Sequence, residues 1–122
     1  METTKLPTLD YEFEGRTYRL MCNMNVIAPV QEAYEGNLMR ALEQRHSVRS
    51  ILQFLAAMLT EAARKQKITG ENGLPLRFTA EQIGETLSWA ETMDVGVKIW
   101  PLVESAFWRD APKEQQAEDE KN

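Results

Sequence analysis

The chain has few of the residues that catalysis or metal binding requires. A nucleophilic cysteine or serine is activated by a nearby base, and the 122-residue sequence contains one histidine, His46, and one cysteine, Cys22. These two residues also fall short of the three or four ligands of a zinc site. Cys22 continues the apolar face of a predicted strand, where a cysteine acts as a small hydrophobic residue. We therefore expect a non-enzymatic protein with no catalytic residue, no metal and no cofactor.

Other spacings that could suggest a site have simpler explanations. Glu81 and Glu85 lie in the first turns of a predicted helix, where negative charge interacts favourably with the helix dipole. The glycines of "GENG", residues 70–73, lack the lysine and the strand–loop–helix context of a phosphate-binding loop. We interpret Glu81 and Glu85 as charges that stabilise the helix end, and residues 70–73 as a turn.

A basic cluster surrounds a predicted helix junction. It could bind phosphate or an acidic partner, although a solvated basic face is the favoured interpretation. The cluster consists of Arg40, Arg45, His46 and Arg49.

A group of aromatic residues occupies the last part of the chain. Tryptophan is frequent in cores and is also enriched at protein interfaces, so core packing and partner contact are both open for this group. Two of its members, Trp89 and Phe107, lie off the apolar lines of the predicted helices. The complete group is Trp89, Trp100, Phe107 and Trp108.

Composition narrows the function classes. The net charge is −5, and the sequence pI near 4.9 argues against nucleic-acid binding without excluding it. The longest nearly apolar run, "ILQFLAAML", is far shorter than the ~20 residues of a membrane span. The N-terminal residues lack the apolar stretch of a signal peptide. A single cysteine suits a reducing compartment, so we expect a cytoplasmic protein without a membrane span.

The stretch "YEFEGRTYRL", residues 11–20, predicts a β-hairpin. A two-residue turn at Glu14 and Gly15 would pair Phe13 with Arg16 and, further out, Asp10 with Arg19. In this register one face is apolar and must pack on another element, because an isolated hairpin is only marginally stable. We expect it to pack on the longest helix. The apolar face consists of Leu9, Tyr11, Phe13, Tyr18, Leu20 and Cys22.

Apolar spacing predicts helices through most of the remaining chain. Asn23 or Asn25 would cap the first helix, which ends at Gly36, and a short second helix follows. Ser47 would cap the longest helix. Its predicted buried line is Val48, Ile51, Leu52, Leu55, Leu59 and Ala62.

The C-terminal half is predicted to hold two more helices. Thr79 and Gln82 form a capping box that begins a helix with Ile83, Leu87 and Ala90 on its buried side. A last helix would begin at Asp94, with a kink or restart near Trp100 because Pro101 follows. We therefore predict a mainly α (α+β) fold, an N-terminal hairpin packed on a bundle of four to five helices. The boundaries would be a flexible segment at residues 1–8, one domain at 9–109 and a disordered acidic tail at 110–122.

The order of these motifs resembles a known family. A "GRTYRL" hairpin, a helix ending "EAYEGNL", the segment "SVRSILQFLAAML", and the closing "LRFTAEQIGETL" and "PLVESAF" segments are similar to tail assembly chaperones of long-tailed phages and prophages. The related proteins of gene transfer agents are also similar. The resemblance covers roughly residues 9–108 and includes no catalytic residue.

The resemblance implies a chaperone that binds the tape-measure protein, and possibly the tail-tube protein, in the cytoplasm of the bacterial host during tail morphogenesis. Self-association is a further implied possibility, with the hairpin offering an edge for neighbouring copies. The alternative function is a small regulatory or nucleic-acid-associated protein that uses the Arg40–Arg49 basic cluster. The residues that would contact a partner are Trp89, Trp100, Phe107, Trp108, Arg40, Arg45 and Arg49.

Overall fold

A two-stranded hairpin precedes five helices in the part of the chain that the structure describes. The computed structural model covers residues 6–108, Trp108 by its backbone alone. This architecture confirms the predicted mainly α fold with an N-terminal hairpin. In chain order the elements are β1 (Leu9–Phe13), β2 (Arg16–Leu20), α1 (Met24–Ala33), α2 (Leu38–Glu43), α3 (Val48–Gln66), α4 (Ala80–Thr86) and α5 (Trp89–Trp108).

The hairpin has the predicted register. Phe13 pairs with Arg16 and Asp10 with Arg19, and the turn residues Glu14 and Gly15 have φ angles of 52° and 83°. Two successive positive φ values are those of a type I′ turn, whose twist matches that of the strands. Of the predicted apolar face, Phe13, Tyr18, Leu20 and Cys22 are buried, and Leu9 and Tyr11 are partly buried.

The two strands pack on different helices. β2 lies against α3, as predicted for the hairpin, whereas β1 lies against α5. Tyr11 accordingly faces the start of α5, where it lines a cleft with Leu87 and Val95. Burial and the nearby carboxylates Glu91 and Asp94 raise the pKa of its hydroxyl.

A loop residue completes the core beneath the hairpin. The ring of Phe78 meets Phe13 and Tyr18 edge-on, at centroid distances of 5.8 and 5.6 Å. The hydroxyl of Thr60 on α3 accepts a hydrogen bond from the Phe78 backbone N–H at 2.9 Å. This pairing fixes the aromatic ring between the hairpin and α3.

The outer edge of β2 is occupied by a side chain from α3. The Arg19 N–H donates to Gln66 Oε1 at 2.8 Å, and Gln66 Nε2 donates to the Thr17 carbonyl at 3.3 Å. These are the backbone groups that an added strand would use. The side-chain amide of Gln66 therefore takes the place of a neighbouring strand at this position.

Helix α3 is the centre of the fold, since it packs against α1, α4, α5 and β2. Ser47 caps it as predicted and Asn23 caps α1. The predicted buried line of α3 is correct at Ile51, Leu55, Leu59 and Ala62 but wrong at Val48, which is exposed, while Leu52 is half-buried. Val48 is the first residue of the helix and is exposed, whereas Ser50 and Ile51 in the same turn are buried.

The boundary between the last two helices differs from the prediction. The Thr79–Gln82 capping box is present, but α4 ends at Thr86 and α5 begins at Trp89. A second capping box causes this break: the Glu91 N–H donates to Ser88 Oγ, and the Ser88 N–H donates to Glu91 Oε1. The predictions that α4 buries Ala90 and that the last helix begins at Asp94 are therefore wrong.

Helix α5 continues without interruption through Pro101, so the helix does not restart there. No helix within residues 6–108 is long and apolar enough to cross a membrane. Residues 1–5 and 109–122 lie outside the described residues, and so do most of the predicted N-terminal segment 1–8 and all of the predicted tail 110–122.

Candidate partner-binding surface

Helix α5 exposes large apolar side chains on one side. Trp89 and Val97 are 69% and 74% exposed, and Met93 and Trp100 are half-buried. Spacings of four, four and three residues place these four side chains along one face of the helix. We call Trp89, Met93, Val97 and Trp100 the α5 stripe. The opposite face of α5 is buried in the core and carries Val95, Ile99, Leu102 and Val103.

A glycine brings the α5 stripe close to α3. A Cβ atom on Gly96 would lie 2.6 Å from Ile51 Cδ1, well inside van der Waals contact. The absence of that atom allows the backbone of α5 to approach the first turn of α3. The side of the α5 stripe next to Gly96 therefore borders the α2–α3 junction.

Trp100 is fixed in place at this border. Its indole N–H donates to Glu104 Oε2 at 3.0 Å, and the Arg45 guanidinium lies over its ring, 5.1 Å from the centroid. Cation–π contact and the hydrogen bond together restrict the rotamer of Trp100. The structure thus joins one residue of the predicted aromatic group to one residue of the predicted basic cluster.

The remaining predicted partner-binding residues are dispersed. Phe107 is half-buried and packs against the core, and the side chain of Trp108 is outside the described residues. Arg40 is exposed. Arg49 stacks on Tyr34 at 4.1 Å and donates to the Ala33 carbonyl at 2.8 Å, so its guanidinium ties α3 to the end of α1.

A second concave surface lies between α1, α3 and the start of α4. This groove has a volume of about 640 Å³. Its lining includes Ala56, Ala57, Arg77 and Glu81. Of its polar groups, Asn25 and Glu61 bind each other, and the Thr60 hydroxyl donates to the Ala56 carbonyl.

Glu61, at the edge of this groove, is the polar residue that sequence reasoning missed. Its side chain is 4% exposed and accepts four hydrogen bonds, one each from Asn23 and Asn25 and two from Arg64. The Arg64 hydrogen bonds, supported by those from the asparagines, lower the pKa of Glu61 to about 2 despite its burial. A signal was present, because Glu61 is the only charged residue in the otherwise apolar or neutral segment 51–63.

Cys22 and His46 lie in different environments. Cys22 is completely buried, and burial raises the pKa of its thiol to about 12, which disfavours the nucleophilic thiolate. His46 is exposed and so does not share the environment of Cys22. Within residues 6–108 no group of three or more His, Cys, Asp or Glu side chains is arranged to hold a metal ion.

Comparison with known proteins assigns no family. No protein-family model matches the chain, and no curated protein and no solved structure is significantly similar to it.

Proposed function

We propose that this chain is a tail assembly chaperone of a long-tailed phage or prophage. It would bind the tape-measure protein in the bacterial cytoplasm while the tail is built. The observation that carries the proposal is the α5 stripe, which leaves Trp89 and Val97 more than two-thirds exposed. These two exposed side chains share one helix face with Met93 and Trp100, which are partly buried against the core, and a contiguous apolar patch of this kind is characteristic of protein-binding surfaces.

The composition of the α5 stripe suits a helical client. Tryptophan provides a large contact area with a polar group at one end, and methionine adapts to side chains of different shape. A surface with these residues can bind many positions along a long helical protein. The resemblance of the motif order to that of tail assembly chaperones points to the same function.

The regulatory or nucleic-acid-associated alternative has less support. Arg49 is engaged by Tyr34 and the Ala33 carbonyl, and Arg45 is engaged by Trp100. Phosphate binding requires guanidinium donors directed at the backbone of the nucleic acid. Arg49 already donates to the Ala33 carbonyl, so this donor of the cluster is committed within the chain.

Co-purification tests the proposed function. The chain is co-expressed with the tape-measure protein from the same gene cluster, and the captured complex is measured for the wild type and for a Trp89→Ser, Val97→Ser double variant. We expect the double variant to capture about tenfold less client, because exposed tryptophan is a frequent hot-spot residue. Its melting temperature should stay unchanged, since both side chains are largely exposed.

Leu74→Ser is the matched control. Leu74 is 62% exposed but belongs to the loop before α4 rather than to α5. Equal loss of capture in this control would indicate nonspecific hydrophobic binding. Absence of any complex with the wild-type chain would reject the chaperone function, and steep salt-dependent binding to DNA or RNA would favour the alternative.

A further inference from the structure

The α5 stripe has the dimensions of a contact with a single helix. Trp89 and Trp100 are eleven residues apart, which corresponds to about 16 Å along the helix axis. Three turns of a partner helix with apolar residues every three or four positions would cover this length. The occupant that matches the stripe is therefore an amphipathic helix.

The two edges of the α5 stripe differ in charge. On the edge away from α3, Lys98 and Asp94 form an ion pair at 3.0 Å, and their charges compensate each other. On the edge next to α3 stands Arg45, held over Trp100. Arg45 therefore gives this edge a positive charge.

Arg45 has no carboxylate within ion-pair distance among residues 6–108. Its guanidinium carbon lies 5.1 Å from the centroid of the Trp100 ring, and within residues 6–108 the guanidinium N–H donors of Arg45 make no hydrogen bond to another side chain or carbonyl. A carboxylate is the partner whose geometry fits those donors. Glu104 accepts the indole N–H of Trp100 on one carboxylate oxygen and forms no ion pair with Arg45.

We propose that the α5 stripe binds an amphipathic helix that carries acidic side chains along the edge of its apolar face next to Arg45. The inference rests on the proposed function and specifies the client segments that the chaperone would select. The acidic positions lie within one helical turn of the client residue that packs on Trp100. The partner is thus recognised by an apolar face together with the charge of one edge.

Two synthetic peptides test this charge selection. Both form the same amphipathic helix with a leucine face, and they differ only in carrying glutamate or lysine along one edge. Each labelled peptide is titrated with the full chain at low salt, and binding is followed by fluorescence anisotropy. We expect the wild type to bind the glutamate peptide about fivefold more tightly than the lysine peptide.

The critical comparison is between two variants with the same change in charge. Arg45→Glu removes the cation at the α5 stripe, and Lys65→Glu makes the same substitution in the last turn of α3, at the far end of that helix. Because both variants have the same net charge, nonspecific attraction of the lysine peptide is equal in the two. Arg45→Glu should reverse the preference, and Lys65→Glu should keep it.

Several results would overturn the inference. One is an equal change in peptide preference in Arg45→Glu and Lys65→Glu. Another is a dimer in solution that the Trp89→Ser substitution dissociates, which would identify a second copy as the occupant. A rise in affinity for both peptides after neutralising Glu118, Asp119 and Glu120 would identify the chain's own acidic segment as the occupant.

The charge selection and the chaperone function can be rejected independently of each other. A preference for the glutamate peptide without capture of a tape-measure protein would reject the chaperone function and retain the charge selection. Capture that is unaffected by Arg45→Glu, with no preference between the peptides, would retain the function and reject the charge selection.

Discussion

A carboxylate inside an apolar helix needs compensating partners, and Glu61 obtains them from two other parts of the sequence. Asn23, which also caps α1, donates to it at 2.8 Å, and Asn25 donates at 3.1 Å. Arg64 supplies the opposite charge at 2.9 Å from its exposed position one turn along α3. Since a buried charge without partners is strongly destabilising, these contacts fix the start of α1 on α3.

Glu61→Gln should therefore destabilise the fold and alter its response to pH. The folded-state pKa of about 2 lies below the ordinary value of 4.5, so ionised Glu61 contributes stability above pH 4.5. This contribution is lost as the pH falls toward 2. We expect Glu61→Gln to cost about 2 kcal/mol at pH 7 and less at pH 3.

Urea denaturation at pH 7 and pH 3 measures this effect. Exposed Glu85 provides the control, because Glu85→Gln should change the free energy of unfolding little at either pH. A cost for Glu61→Gln that is the same at both pH values would show that the charge of Glu61 contributes nothing.

Gly96 determines the distance between α5 and α3. Alanine usually stabilises a helix interior by about 1 kcal/mol relative to glycine, but at this position its Cβ would lie 2.6 Å from Ile51 Cδ1. We expect Gly96→Ala to destabilise the protein by about 1 kcal/mol. At Gly84 the corresponding contact, with Leu52, is 3.2 Å, so Gly84→Ala should cost less.

A double-mutant cycle with Ile51→Val identifies the clash. Valine lacks the Cδ1 atom, so the combined variant should be more stable than the sum of the single effects. Additive effects, measured by urea denaturation, would contradict the assigned contact.

At the scale of elements, two capping boxes nine residues apart define α4 and α5. Thr79 begins α4 and Ser88 begins α5, each with a glutamine or glutamate three residues later. Capping satisfies backbone N–H groups that the helix itself cannot. The chain therefore ends one helix and begins the next with Leu87 and Ser88 between them.

Ser88→Ala should destabilise the protein by about 1 kcal/mol, the usual cost of losing an N-cap. Thr86→Ala is the control, because Thr86 lies in the last turn of α4 and its hydroxyl donates only to the Gln82 carbonyl. Chemical denaturation measures the free energy of unfolding of both variants. Equal small effects would mean that the Ser88 cap does not stabilise α5.

At the scale of the whole molecule, α5 serves both the core and the candidate binding surface. Trp89 lies at its exposed end, whereas Phe107 packs against the core near its other end. The two aromatic residues should therefore respond differently to substitution. Trp89→Ala should leave the melting temperature unchanged and reduce client capture, and Phe107→Ala should lower stability by about 1–2 kcal/mol.

Thermal melts paired with co-purification distinguish these roles. Met24→Ala is a suitable control, since Met24 is 58% exposed and lies on α1 rather than α5. A large loss of stability in Trp89→Ala would assign that residue to the core and remove the principal support for the α5 stripe as a binding surface.

Local structure was largely predictable because its causes are local. Alternation of apolar residues and the glycine of the turn gave the hairpin register, and Ser47 and Thr79 marked the starts of α3 and α4. The wrong boundary at Asp94 has a local cause as well, since Ser88 and Glu91 form a capping box that was visible in the sequence. The error at Val48 is different, because burial at a helix end depends on neighbouring elements.

Contacts between distant residues were decided by the tertiary structure alone. Gln66 reaches Arg19 across 47 positions and Glu61 reaches Asn23 across 38, and Arg45 meets Trp100. Periodicity shows which face of a helix is apolar, but it does not show which helix lies opposite. The sequence by itself therefore determined the elements and most of their buried faces. Only packing decided that one face of α5 remains exposed beside an arginine.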